Sequence, residues 1–154
     1  MTMLPEAPSQ FLSRHHVMSL ATQGDDGPWA AAVFYVQDAQ GLVFLSAPGT
    51  RHGRNLARDP RCAATIQKDY EDWPQIQGVQ LEGRVQELTG DEQAQARQHY
   101  AQTYPVAGLA ARAPAEIVKA LAKVRWYRLK PDRLYFIDNT QGFGRRSEFD
   151  LTGH

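Results

Sequence analysis

Short apolar runs separated by turn residues set the rhythm of this chain and predict most of its elements. Val17-Met18-Ser19-Leu20-Ala21-Thr22 reads as a strand, and Gly24-Asp25-Asp26-Gly27-Pro28 as a turn into a second strand from Trp29 to Gln37. Asp38-Ala39-Gln40-Gly41 turns into a third, Leu42-Val43-Phe44-Leu45, and a fourth runs from Arg61 to Gln67. Beyond a polar and aromatic loop, Lys68 to Gln75, the stretch Gln77 to Leu88 alternates as a long fifth strand with Val79, Leu81 and Val85 on one face. Val124 to Leu129 and Arg133 to Asp138 are expected as two closing strands joined by Lys130-Pro131-Asp132.

Helical spacing is confined to the spaces between these runs. Phe11 and Leu12 belong to a short amphipathic helix for which Ser9 is the expected cap. A basic helix follows the third strand and ends at Asp59-Pro60. Thr89-Gly90-Asp91-Glu92 opens another, with Thr89 as cap and Glu92 in the capping-box position, running to about Thr103. A further helical piece, Ala115 to Lys123, follows Pro114. The tail from Asn139 to His154 is rich in glycine and charge and is expected to be mostly irregular. Many short strands, tight turns and peripheral helices predict a mainly β, α+β fold built on an antiparallel barrel. The absence of βα alternation and of Gly-x-Gly-x-x-Gly after the first strand argues against a Rossmann fold.

Composition narrows the picture. The 154 residues suit one domain with a single core, residues 1–154, of which 140–154 form the tail. Seventeen Lys and Arg balance 17 Asp and Glu, which removes the broad positive footprint of a nucleic-acid binder. The single cysteine, Cys62, rules out an intrachain disulfide and fits a reducing cytoplasm; its strand-like surroundings predict a small buried hydrophobe. No basic and apolar leader opens the chain and no apolar run is long enough to span a bilayer, so the expectation is a soluble cytoplasmic protein without membrane partners.

The chemistry concentrates in Ser46 to Arg58. Thr50, Arg51, His52 and Arg54 crowd the first turn of the basic helix, where unpaired backbone N–H groups and the dipole favour an anion. Guanidinium, imidazole and hydroxyl donors there would complete a phosphate-monoester clamp. A solvated basic helix with Thr50 as its N-cap accounts for the same residues. His52 has no His or Cys partner at ligand spacing, so no metal site is expected, and no residue stands out as a catalytic acid or base.

Met18-Ser-Leu-Ala-Thr22, Gly27-Pro28-Trp29, Gly41-Leu-Val-Phe44, Thr50-Arg51-His52, Asn55-Leu56, Asp59-Pro60-Arg61, Val79-Gln80-Leu81-Glu82-Gly83 and Arg128-Leu129-Lys130-Pro131 follow one another in a recognisable order. In that order and spacing the chain resembles the pyridoxamine 5′-phosphate oxidase-like FMN-binding split barrels over roughly residues 10 to 140. The closing Asp138 to Arg145 looks like a subgroup of small bacterial members without an assigned reaction. The resemblance implies a six-stranded antiparallel Greek-key split barrel, dimeric, with FMN in clefts at the homodimer interface. Thr50-Arg51-His52 falls on the family's Ser/Thr-Arg-Lys phosphate motif, with His52 in place of Lys. Ala32, Val33 and Phe34 fall beside the isoalloxazine, where backbone groups pair with the pyrimidine edge; Ser46 ends the third strand near the same ring. Asn55 is a further carry-over that could equally brace the helix, and Gln80 a substitute for the family's flavin-contacting Gln, whose position aligns with Gly78. Trp126 is read as core or dimer packing, with flavin stacking as the other option; the segment of Phe143 and Arg145 is read as folding over the partner's cofactor, Phe143 closing the pocket and Arg145 near the flavin or substrate, with a floppy tail as the other option.

Departures from the family pattern matter as much. Arg and Lys that serve substrate on the second strand of the true oxidase correspond to Ala31 and Val36, and its late Arg-x-His motif to Gly142-Phe143-Gly144-Arg145-Arg146. A second phosphorylated ligand would lose charge-assisted bonds at each change. The expectation is an FMN-binding oxidoreductase acting on an unidentified small molecule, not a pyridoxamine phosphate oxidase. A non-catalytic flavin-binding or sensing module, a haem-binding split barrel and a deazaflavin-dependent one are the alternatives.

Overall fold

A computed structural model describes residues 4–105 and 115–153. Along the chain the elements are α1 (Glu6–Arg14), β1 (Val17–Gly24), β2 (Gly27–Gln37), β3 (Leu42–Ser46), α2 (Arg51–Arg58), β4 (Arg61–Gln67), β5 (Gln77–Leu88), α3 (Gly90–Thr103), α4 (Ala115–Lys123), β6 (Arg125–Asp138) and β7 (Arg146–Asp150). Short 3-10 turns lie at Trp73–Gln75 and Asn139–Gln141. The sheet runs β3-β2-β1-β4-β5-β6-β7, all neighbours antiparallel, and a β3–β6 pairing closes the first six strands into a barrel.

Alternation sends Met18, Leu20, Cys62, Ala64, Ile66, Val79, Leu81 and Leu134 into the barrel, where Phe11 and Leu12 of α1 plug one side. Burial pushes the Cys62 thiol up to about 12, as befits an inert core residue. A second cluster, Val36, Val43, Leu88 and Trp126, forms on the opposite face under Ala96 and Tyr100 of α3. Trp126 and Tyr127 are therefore both buried, on opposite faces of one strand.

Strand β6 differs from expectation. The two closing strands are one 14-residue strand, and Lys130-Pro131-Asp132 is no hairpin. The register against β5 shifts between Glu82 and Gly83, leaving Asp132 as the extra residue beside Pro131, which suits a residue with no N–H to give the ladder. The first half of β6 lies between β5 and β3, the second between β5 and β7. The tail is thus not mostly irregular, because β7 takes the place β3 vacates.

Two caps also differ. Ser9 lies inside α1, whose N-cap is Pro5, and its hydroxyl accepts from Gln37 Nε2 at 3.0 Å. Thr89 is the N-cap of α3 but makes no side-chain cap bond. Glu92 leaves the capping box for the stronger attraction of Arg128, whose buried guanidinium also holds Asp38 and Gln40. No helix among the described residues is long and apolar enough to cross a membrane.

Candidate phosphate and ring site

Helix α2 begins where it does because Thr50 caps it. The Thr50 hydroxyl accepts from the Gly53 N–H at 3.0 Å and donates to the Ala47 carbonyl at 2.9 Å. The backbone N–H groups of Arg51 and His52 open the helix and have no intrahelical acceptor. Ser46, buried at the end of β3, brings its hydroxyl to 2.6 Å from His52 Nε2 and 3.2 Å from Thr50 Oγ1. Burial lowers the His52 pKa below the ordinary imidazole value, so the ring is neutral at pH 7. Hydroxyl, imidazole and backbone donors thus meet at one helix start.

The β1–β2 hairpin holds α2 against the barrel. Asn55 Nδ2 donates to the Thr22 hydroxyl at 3.0 Å, both residues buried, and Asn55 Oδ1 fills the space a Cβ on Gly24 would need. Arg58 pairs with Asp25. The Arg51 guanidinium carbon lies 4.3 Å from the centroid of the Trp29 ring, and one of its N–H groups donates to the Asp26 carbonyl at 3.2 Å. Arg54 bonds the Gly49 carbonyl, and Arg61 holds the Asp59 carboxylate down to about 2 by hydrogen bonding.

Strand β2 supplies the second feature. Asp25 and Asp26 form the turn between the paired Gly24 and Gly27, so hydrogen bonding to β1 alternates through Trp29, Ala31 and Val33 to Tyr35, whose N–H donates to His16. Ala30, Ala32 and Phe34 therefore direct their peptide groups to the other edge. There β3 pairs with Tyr35–Gln37, which takes the Phe34 carbonyl into the ladder opposite Leu45, and no strand among the described residues covers the edge from Gly27 to Val33. Open peptide donors and acceptors consequently lie on the strand that carries Trp29, beside the α2 start.

The remaining candidate residues are scattered. Val33 is half-buried, with its peptide turned to β1; Ala32 is exposed, and Phe34, 55% exposed, packs edge-on against Tyr104. Asn55 is a buried brace, with its amide committed to Thr22. Trp126 has no ring face for a flavin, because Tyr100 and the second core enclose it. Gln80 stands exposed on the outer sheet face in register with Thr65 and Tyr135. Phe143 and Arg145 lie at the β5–β6–β7 side, where Phe143 (77% exposed) faces Trp73 (69% exposed) with ring centroids 6.2 Å apart. Asn139 knits that loop: its side chain donates to the Trp73 carbonyl and accepts from the Gly144 N–H. Sequence reasoning overlooked Trp29, although strand alternation from Thr22 and the turn places both on the α2 side. No group of three or more His, Cys, Asp or Glu among the described residues is arranged to hold a metal.

Comparison with known proteins agrees with this architecture. Residues 4–138 match the family model described as pyridoxamine 5′-phosphate oxidase. A UPF0306 protein of Klebsiella pneumoniae is 34% identical over 139 residues, 89% of this chain and 86% of that one. A haem-binding protein from Mycobacterium smegmatis superposes with a TM-score of 0.73 at 25% identity, over 97% of this chain and 60% of its own. An FAD-binding protein from Mesorhizobium loti superposes at 0.67 and 17% identity, over 97% and 100% of the two chains.

Proposed function

Because this chain belongs to the pyridoxamine 5′-phosphate oxidase family, we propose that it binds FMN between α2 and the open edge of β2. In this reading it is a flavin-dependent oxidoreductase for a small molecule other than pyridoxamine phosphate. The observation that carries the reading is the adjacency of two complementary features. Unpaired peptide groups of Ala30 and Ala32, with Phe34 where β3 takes over, suit the hydrogen-bonding edge of an isoalloxazine. The helix start with Ser46, Thr50, Arg51 and His52 suits a phosphate monoester.

When bound, FMN supplies the redox chemistry. Arg51 and the first N–H groups of α2, presented by the Thr50 cap, would hold the phosphate, and Ser46 fixes the orientation of His52 beside it. Thr22 and Asn55 hold α2 at a constant distance from β2. Val36 is buried in the second core and Ala31 carries no charge, so the strand that serves a phosphorylated substrate in the true oxidase offers it no cation here.

The same reading includes a homodimer. Ala30, Ala32, Ser19, Ala21, Ala63 and Thr65 make an outer sheet face of short side chains, with Val17 and Phe34 exposed at its border. A second copy can approach such a face closely. Gln80, Phe143 and Arg145 then serve the pocket of the other copy, since they stand on the β5–β6–β7 side and not beside α2.

The test is a titration of the purified protein with FMN, FAD and riboflavin, followed by anaerobic addition of NADH or NADPH. The expected result is FMN bound more tightly than riboflavin, and bleached by a nicotinamide donor. Stoichiometric FMN that neither donor reduces would favour a binding or sensing module. No flavin binding together with a Soret band on adding haem would overturn the reading.

A further inference from the structure

We propose that Trp29 is the positioning residue of the phosphate clamp, its indole seating the Arg51 guanidinium before a phosphate monoester arrives. The inference rests on the reading that the α2 start holds the FMN phosphate.

Four arginines occupy this part of the chain; two are paired with carboxylates, and one of the other two rests on an aromatic ring. Arg58 is paired with Asp25, Arg61 bonds Asp59 through two of its nitrogens, and Arg54 bonds the Gly49 carbonyl at 2.6 Å. Arg51 differs. Its guanidinium carbon sits 4.3 Å from the Trp29 ring centroid, and one donor goes to the Asp26 carbonyl. A cation resting on an aromatic face uses none of its N–H donors for the contact, so the remaining donors stay available to an anion. An arginine already seated also loses less rotamer freedom on binding than a free one.

Trp29 has no packing reason to be large. It is 41% exposed near the start of β2, outside both core clusters. Its register partner is Thr22, whose hydroxyl accepts from Asn55 of α2, so Trp29 stands on the face where α2 docks. The hairpin and the helix are tied by Asp25–Arg58, Thr22–Asn55 and Trp29–Arg51, and the last of these acts on a donor of the clamp itself.

The experiment compares FMN with riboflavin, which carries the same ring system without the phosphate. Full-length wild-type protein and the Trp29→Phe, Trp29→Leu, Arg51→Ala and Trp29→Leu/Arg51→Ala variants are titrated with both. Trp29→Leu is expected to weaken FMN binding about three- to fivefold and to leave riboflavin binding unchanged, with Trp29→Phe in between. The double variant should bind FMN no more weakly than Arg51→Ala, because the two residues act through one donor set. Equal losses for FMN and riboflavin, full retention of FMN by Trp29→Leu, or additive losses in the double variant would overturn the proposal. Trp29→Phe keeps a ring at the position and decides the matter if Trp29→Leu does not fold. Failure of the wild type to bind either flavin would remove the proposed function and this inference with it. Equal wild-type affinity for FMN and riboflavin would remove the clamp alone.

Discussion

The Ser46 hydroxyl and His52 Nε2 are 2.6 Å apart, joining the end of β3 to the first turn of α2. This contact sets how the site responds to pH. Burial lowers the His52 pKa, so the folded protein without ligand resists protonating the ring. Below about pH 6.5 the unfolded chain binds that proton more readily, and stability falls on further acidification. A phosphate beside His52 reverses the preference, because the imidazolium becomes the better partner. FMN affinity is therefore expected to rise as pH falls from about 8 to about 6.5, and His52→Lys should flatten the dependence. Titrations across that range check both signs.

Arg51 and Arg54 are three residues apart but should behave differently. Losing charge-assisted bonds to a phosphate costs about 1.5–3 kcal/mol, so Arg51→Ala should weaken FMN binding by about one to two orders of magnitude. Arg54 is exposed and committed to the Gly49 carbonyl, and Arg54→Ala should change affinity by less than about threefold. Equal losses would mean that the helix acts as a diffuse positive patch.

Arg128 ties β6 to two segments that are distant in sequence, the β2–β3 turn and α3. Its guanidinium reaches Asp38 at 2.6 Å, Glu92 at 2.9 Å and Gln40 at 3.3 Å. Arg128→Ala leaves the Asp38 carboxylate without its countercharge and should cost about 3 kcal/mol in urea unfolding. Glu92 is half-exposed, and Glu92→Gln should cost less than about 1 kcal/mol.

Gly83 tests the bulge in β6. A Cβ there would lie 2.1 Å from the Lys130 carbonyl oxygen, a backbone atom that cannot swing aside. Gly83→Ala is expected to destabilise by about 2–3 kcal/mol, by thermal or chemical denaturation. At Gly49 an added Cβ meets nothing within 4 Å, and Gly49→Ala should stay within about 0.5 kcal/mol.

The barrel was legible because period-two burial and turn residues mark strands locally. Residues such as Val79, Leu81 and Val85 fell on the inner face as expected. The Thr50 cap was legible for the same reason, since capping is settled within four residues. What escaped depends on partners far along the chain. Glu92 abandons a local cap for Arg128, 36 positions away. Lys130-Pro131-Asp132 has the composition of a turn, yet β5 and β7 on either side keep it extended. Within the site, residue types revealed the donors around Arg51 but not what those donors rest on. Trp29 lies 22 positions before Arg51, and only the hairpin fold brings them together. Asn55 and Trp126 carry familiar side chains whose burial commits them to the scaffold.

A strand edge whose peptide groups meet no neighbour also lets those amides exchange with solvent. Along β2, the amide protons of Ala30 and Ala32 should exchange fast while those of Trp29, Ala31 and Val33, locked onto β1, exchange slowly. That alternation, read residue by residue by deuterium uptake, is a built-in occupancy gauge. Any molecule lying along the edge slows every second amide and leaves its neighbours as they were, so the barrel reports a ligand before the ligand has been identified.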